Sequence, residues 1–184
     1  LDTMGDKTVA ESLRGDVQAL SRMVEGLLAE TKVADLEIGS HDRADLGLIA
    51  RSVAAYLGPE AIKRKRSLEV IAPDTPVSVW GRTQALEQGV RLLVENAIEH
   101  TPEKSVVTIE VTEDPAVFVE DHGEPIPEDA KERFFMLGLR ADQRGETQRQ
   151  GLSAVRRIAD AHGAEVGVSD GAGRGNVFFL RFPS

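Results

Sequence analysis

The chain has 184 residues, with 22 Lys plus Arg against 31 Asp plus Glu and no cysteine. That length holds one ordinary domain with an appendage and a sizeable core, and the lack of cysteine excludes a disulfide scaffold, a Cys-based zinc site and a thiol nucleophile. A net charge of −9 disfavours nucleic acid and acidic membranes, which bind clustered Lys and Arg, and no apolar run approaches the roughly 20 residues that span a bilayer. The start, from Leu1 to Asp6, lacks a signal-peptide pattern and reads as a cut within a longer chain.

In chain order, Leu13, Val17, Leu20, Val24, Leu27 and Leu28 recur at spacings of three and four, with Met23 at the edge of the stripe. This predicts one helix with a narrow apolar seam. Left wet, such a seam forfeits roughly 25 cal/mol per Å², so the helix is expected either in a bundle or dimer or packed on the domain behind it. A second helix is predicted to start at Asp45-Leu46 and to be interrupted at Gly58-Pro59. Residues 68–71 and 76–80 read as strands separated by the turn Ala72-Pro73-Asp74-Thr75. Leu86, Val90, Leu93, Val94, Ala97 and Ile98 define a strong helix ending at Thr101-Pro102, followed by an alternating strand through Val107, Ile109 and Val111. The all-apolar run Ala116-Val117-Phe118-Val119 suits an inner strand. A last helix carries Leu152, Val155, Ile158 and Ala159, and residues 166–168 and 177–180 close the chain as a hairpin around a Gly-rich turn. The strands lie too close together for a doubly wound sheet, so the fold class is α+β, a two-layer sandwich with helices on one face of a mixed sheet.

Three stretches could carry chemistry. On the helix ending at Pro102, Glu95, Asn96, Glu99 and His100 form a polar arc. Such an arc either ligates Mg²⁺ and orients an attacking group or is simply the solvated face. Asp121, leaving a buried strand into a Gly turn, either accepts a hydrogen bond from an exocyclic amine or makes an ordinary Asx turn. Gly151 precedes a helix whose free N–H groups could face phosphate. No phosphate loop of the Gly-x-x-x-x-Gly-Lys type, no His-Glu-x-x-His and no Gly-x-Ser-x-Gly occurs.

Together these stretches resemble the ATP-binding part of bacterial two-component sensor histidine kinases. Residues 93–102, Leu-Val-Glu-Asn-Ala-Ile-Glu-His-Thr-Pro, resemble the N box of that family, and residues 121–127 (Asp-His-Gly-Glu-Pro-Ile-Pro) its G1 box. Glu132-Arg133-Phe134-Phe135 resembles the F box, and the run from Gly151 to Gly163 resembles the end of the G2 box and its helix. The Leu13–Leu28 helix looks like the second helix of the dimerisation hairpin.

The resemblance implies a Bergerat-type α/β sandwich over residues 37–184, behind a partial dimerisation and phosphoacceptor hairpin over residues 1–36. It implies ATP and Mg²⁺ as ligands, with Asn96 binding the metal and Glu95 catalytic, helping to activate the phosphoacceptor. His100 would lie near the phosphates, Asp121 would hold the adenine amino group, Gly123 would let the backbone approach the base, and Gly151 would sit at the lid hinge. Implied partners are a second copy of the chain, through the helix over residues 8–36, and a response regulator, with no membrane contact by this segment. The location implied is the cytoplasm, any membrane anchor of the parent lying outside the segment.

Departures from the family pattern shape the expectation. Pro125 stands where the G1 box has its second Gly, and Thr147 and Arg149 stand where the G2 box has its first two. Residues 136–139, Met-Leu-Gly-Leu, replace polar and aromatic residues after the F box. None of His41, His100, His122 and His162 has a phosphoacceptor context, and His162 reads as structural. The expectation is therefore the kinase's ATP-binding part with weakened nucleotide binding, the alternative being a non-catalytic scaffold that dimerises and binds a signalling partner.

Overall fold

A computed structural model describes residues 42–131, 134–135, 146–173 and 175–183, with 146–151 described by backbone alone. The expected dimerisation helix, the domain boundary near residue 36, and residues 132–133 and 136–139 lie outside the described residues.

Strand β1 (Arg43–Asp45) runs into helix α1 (Leu46–Lys63). Asp45 caps this helix, its Oδ1 accepting the N–H groups of Gly47 at 2.8 Å and Leu48 at 3.3 Å. The expected break at Gly58-Pro59 does not occur: the helix runs through Pro59 to Lys63. The buried stripe Val53, Leu57, Ala61 continues past the proline on the inner face. Pro59 and Ala55, whose carbonyl loses its helical partner, are both exposed, so water satisfies the group that the proline ring leaves unbonded.

Strands β2 (Ser67–Ile71) and β3 (Ser78–Trp80) lead into α2 (Thr83–His100). Then come β4 (Val106–Thr112), β5 (Ala116–Glu120), the short α3 (Glu128–Lys131), α4 (Glu146–Ala161), β6 (Glu165–Asp170) and β7 (Asn176–Arg181). The main sheet has the order β2-β4-β5-β7-β6, with β2 parallel to β4 and every other pair antiparallel, while β1 and β3 form a separate ribbon. This is the expected mixed sheet, with the β6–β7 hairpin at its edge and the apolar β5 in its middle.

Register assigns the faces. Val70 pairs with Ile109, Ile109 with Val119, Val119 with Phe178 and Phe178 with Val168, so one apolar row crosses all five strands. Helix α2 packs between α1 and α4 and lies on β4 and β5. Its Leu86, Val90, Leu93 and Val94 are buried to 1% exposure or less, each stabilising the fold by roughly 1.5–3 kcal/mol. Helix α2 is thus the axis on which the site is built.

Candidate functional site

The C-terminal half of α2 carries the expected polar arc, but the arc is not uniformly solvated. Glu95, Glu99 and His100 are exposed, whereas Asn96 is buried at 8% exposure. Its carboxamide nitrogen is buried with no hydrogen-bond partner among the described residues. Buried polar groups are nearly always paired, so Asn96 stands out on this helix, a status that its Nδ2 shares with guanidinium nitrogens of Arg91 and Arg157. Carboxamide N and O differ only by a flip, so the same position can present an oxygen.

Glu95 sits about 100° round the helix from Asn96 and belongs to a different neighbourhood. Arg91 Nε lies 3.7 Å from Glu95 Oε1, and the Arg91 guanidinium lies 5.5 Å over the ring of Tyr56 on α1. Such a partly exposed i,i+4 pair at 3.7 Å contributes about 1 kcal/mol at most.

Where α2 ends, the loop after β5 folds against it. Thr101 is fully buried, and its Oγ1 accepts the His122 N–H at 3.2 Å. Gly123 is needed there: a Cβ would stand 2.9 Å from the His100 carbonyl oxygen and 3.2 Å from Asp121 Oδ1. The site's first demand on Gly123 is therefore contact with the helix end.

Asp121 is buried at 1% exposure. Its Oδ1 accepts the Gly123 N–H at 2.7 Å, the Asn176 N–H at 3.2 Å and Asn176 Nδ2 at 3.1 Å. The Asx turn read from sequence therefore exists, and it uses one oxygen. The other, Oδ2, has among the described residues a longer contact, to Asn176 Nδ2 at 3.3 Å. A carboxylate oxygen carries two lone pairs and only accepts, so Oδ2 retains capacity for a donor.

Gly151 does not precede the last helix, as its sequence setting suggested. Helix α4 begins at Glu146 and contains Gly151. The preceding Glu146-Thr147-Gln148-Arg149-Gln150 has no Gly or Pro, and each Gly absent from a helix spares it about 1 kcal/mol, so nothing stops the helix from extending backwards past Gly151. A free helix N-terminus at Gly151 is thereby ruled out. Phe134 and Phe135 pack with Phe178, at centroid distances of 5.7 and 6.3 Å, and so fasten the segment after α3 to the central sheet.

Asn96, His100, Asp121 and Gly123 thus converge on one end of α2, with Glu95 on its flank and Gly151 on α4. His162, buried at 7%, lies at the other end of α2. Its Nδ1 bonds the Ile158 carbonyl at 2.7 Å, and its Nε2 accepts the Arg82 N–H at 3.2 Å. Burial lowers its pKa below the usual 6.5 against the opposing pull of the Ile158 carbonyl. Sequence reasoning missed Thr101, Asn176 and Gly175. An Asn opening a strand after Gly-x-Gly was the available signal for the last two.

The family profile described as "Histidine kinase-, DNA gyrase B-, and HSP90-like ATPase" matches residues 81–184. Adaptive-response sensory kinase SasA of Prochlorococcus marinus (strain MIT 9303) is 32% identical over 149 residues, 76% of this chain and 40% of SasA. SasA of Gloeothece citriformis (strain PCC 7424) is 23% identical over 180 residues, 94% of this chain and 46% of that protein. The chain therefore spans less than half the length of these curated relatives. Among solved structures, the nucleotide-free catalytic domain of histidine kinase ThkA superposes with a TM-score of 0.66 at 26% identity, covering 77% of this chain and 94% of that one. Among the described residues no helix is long and apolar enough to cross a membrane.

Proposed function

This chain belongs to the histidine kinase-, DNA gyrase B- and HSP90-like ATPase family, as an ATP-binding domain of the sensor-histidine-kinase kind, and from that premise we propose how its site works. It takes part in moving the γ-phosphoryl of ATP to a histidine that is none of His41, His100, His122 and His162, and thence to a response regulator. The observation that carries this reading is Asp121: a buried carboxylate with one oxygen saturated and the other left able to accept. That suits the exocyclic amine of adenine.

Asn96, whose buried carboxamide nitrogen has no partner among the described residues, would supply an oxygen to Mg²⁺. Mg²⁺ carried by a nucleotide needs only one or two protein ligands, so one such donor would suffice. His100, one turn further on, lies near the phosphates, and Glu95 acts on the phosphoacceptor from the exposed flank. Gly123 lets the turn close against the base. Gly151, inside α4, contributes to the lid from within a helix. Phosphate binding is weaker than in relatives with Gly-rich boxes, because Pro125 has no N–H and Thr147 and Arg149 replace glycines.

The working unit is a dimer through residues 8–36, with a response regulator as partner. ThkA has been crystallised with the response regulator TrrA, which supports the second part by analogy. The alternative, a non-catalytic scaffold, is favoured by one observation: Gly151 lies within α4, so no helix N-terminus starts there.

Calorimetry decides between the two. Mg-ATP and ADP are expected to bind, and Asp121→Asn to weaken both by about 10- to 150-fold, the loss of one hydrogen bond to a charged group. No heat of binding at millimolar Mg-ATP leaves the scaffold.

A further inference from the structure

Asn176, the first residue of β7, is buried at 2% exposure. Its backbone pairs reciprocally with Asp121: the Asp121 N–H donates to the Asn176 carbonyl at 2.9 Å, and the Asn176 N–H donates to Asp121 Oδ1 at 3.2 Å. Its carboxamide works in two directions. Nδ2 donates to Asp121 Oδ1 at 3.1 Å, to Oδ2 at 3.3 Å and to the Glu124 carbonyl at 3.1 Å. Oδ1 accepts the Ile126 N–H at 2.8 Å. A flipped amide would set oxygen against carboxylate and NH₂ against N–H, so the neighbours themselves assign this orientation.

Pro125 lies between the two backbone groups that Asn176 holds. Proline offers no N–H and a fixed φ, so the turn must be secured by the groups flanking it, the Glu124 carbonyl and the Ile126 N–H. Both are taken by one side chain, which also grips Asp121. The departure from glycine at residue 125 is thereby built into a stiff clip. Gly175 allows the clip to close: its φ is +136°, and a Cβ there would stand 2.1 Å from the Asp121 carbonyl oxygen.

We propose that Asn176 is a positioning residue for base recognition, one that locks the Asp121 carboxylate, occupies Oδ1 and leaves Oδ2 as the acceptor for the ligand's amino group. It also fixes the Glu124–Ile126 turn beside that oxygen. The ligand class is a nucleotide whose base presents an exocyclic amine. Ordering the carboxylate before binding lowers the cost of binding. The inference rests on reading Asp121 as the base-binding residue, and the test separates the two.

The variants are Asn176→Ala and Asn176→Ser, the second keeping one short donor towards Asp121 but losing the hold on Ile126. Two readouts apply to the whole chain: amide hydrogen exchange at Gly123 and Ile126, and calorimetry with ATP and with inosine triphosphate, whose base has a carbonyl in place of the amine. For Asn176→Ala, exchange at Ile126 should rise about tenfold or more while β4 keeps its protection, and ATP should weaken roughly tenfold with inosine triphosphate little changed. Asn176→Ser should lose the Ile126 protection and keep part of the preference for ATP. Unchanged Ile126 exchange in both variants, or equal weakening of the two nucleotides, overturns the positioning role. If the unsubstituted protein binds both nucleotides equally, the base reading of Asp121 falls with the recognition half of the proposal. Faster exchange in the variants would then still establish that Asn176 holds the turn.

Discussion

At each end of helix α2 a buried polar side chain from later in the chain and a close-packed glycine meet, His162 with Gly81 at the start and Asp121 with Gly123 at the finish. At the N-terminal end, His162 uses both ring nitrogens, one on the Ile158 carbonyl and one on the Arg82 N–H, and its ring fills the space where a Gly81 Cβ would stand, 2.4 Å from Cδ2. At the C-terminal end, Asn96 keeps an unpartnered nitrogen and Asp121 keeps an oxygen with one long contact. Valence is complete at one end and incomplete at the other. Since an unmet buried group costs about 1–3 kcal/mol, the incomplete end is, among the described residues, the less satisfied of the two, which fits the nucleotide site proposed there.

The strongest way to break this comparison is to crowd each end. Gly175→Ala puts a Cβ 2.1 Å from the Asp121 backbone oxygen at a φ of +136°, where neither the backbone nor the conformation yields. Gly81→Ala meets a side-chain ring, at a residue without positive φ. Overpacking and backbone strain together should make Gly175→Ala cost about 3–4 kcal/mol, and overpacking alone about 1–3 kcal/mol at Gly81. Urea denaturation checks the order. If Gly81→Ala is the more damaging, the C-terminal end is looser than its hydrogen bonds imply.

A smaller effect sharpens the contrast. Asn96→Leu replaces a carboxamide whose nitrogen is unsatisfied among the described residues by an apolar group of similar size in a helix, so the ligand-free protein should gain roughly 1 kcal/mol. The same variant should lose the Mg²⁺-dependent part of ATP binding. A destabilised Asn96→Leu would mean that the carboxamide is satisfied in the folded protein, and the incomplete valence at this end would disappear.

Much of this was legible before any coordinates. The alternation of Val107, Ile109 and Val111 and the three-four stripe of α2 each have a period that only one element satisfies, while the short apolar run of β5 is told by its length, its Val and Phe content and the turn residues beside it. Asp45 was readable as a cap because capping is local. The failures came where distant chain intervened. A helical wheel puts Asn96 on the polar arc, since it records the stripe and not which segment covers the helix end. Asn176 reaches Asp121 across 55 residues, and nothing local in a β-hairpin announces that partner. Pro59 misled because a proline rule ignores whether the freed carbonyl faces water. Gly151 misled because a glycine ahead of an apolar stripe was read as a helix start that the residues before it do not enforce.

The smallest effect concerns the complete end. Nε2 of His162 must accept from Arg82, so the folded protein holds the neutral ring with its proton on Nδ1. Protonation would turn Nε2 into a donor facing the Arg82 N–H, and burial disfavours the charge, which is why the pKa is lowered from 6.5. In the unfolded chain the ring titrates near 6.5. Between that value and the lower folded one, the unfolded state binds a proton that the folded state does not, so stability is full above 6.5 and falls as pH drops through the window. Denaturation midpoints measured from pH 7.5 down to 5.5 should decline. In His162→Gln, whose amide oxygen can still accept from Arg82 but never titrates, the decline should be shallower, the difference isolating this ring from every other group. Parallel slopes in the two proteins would mean that the N-terminal end of α2 tolerates a charged ring and is not closed in the sense argued here.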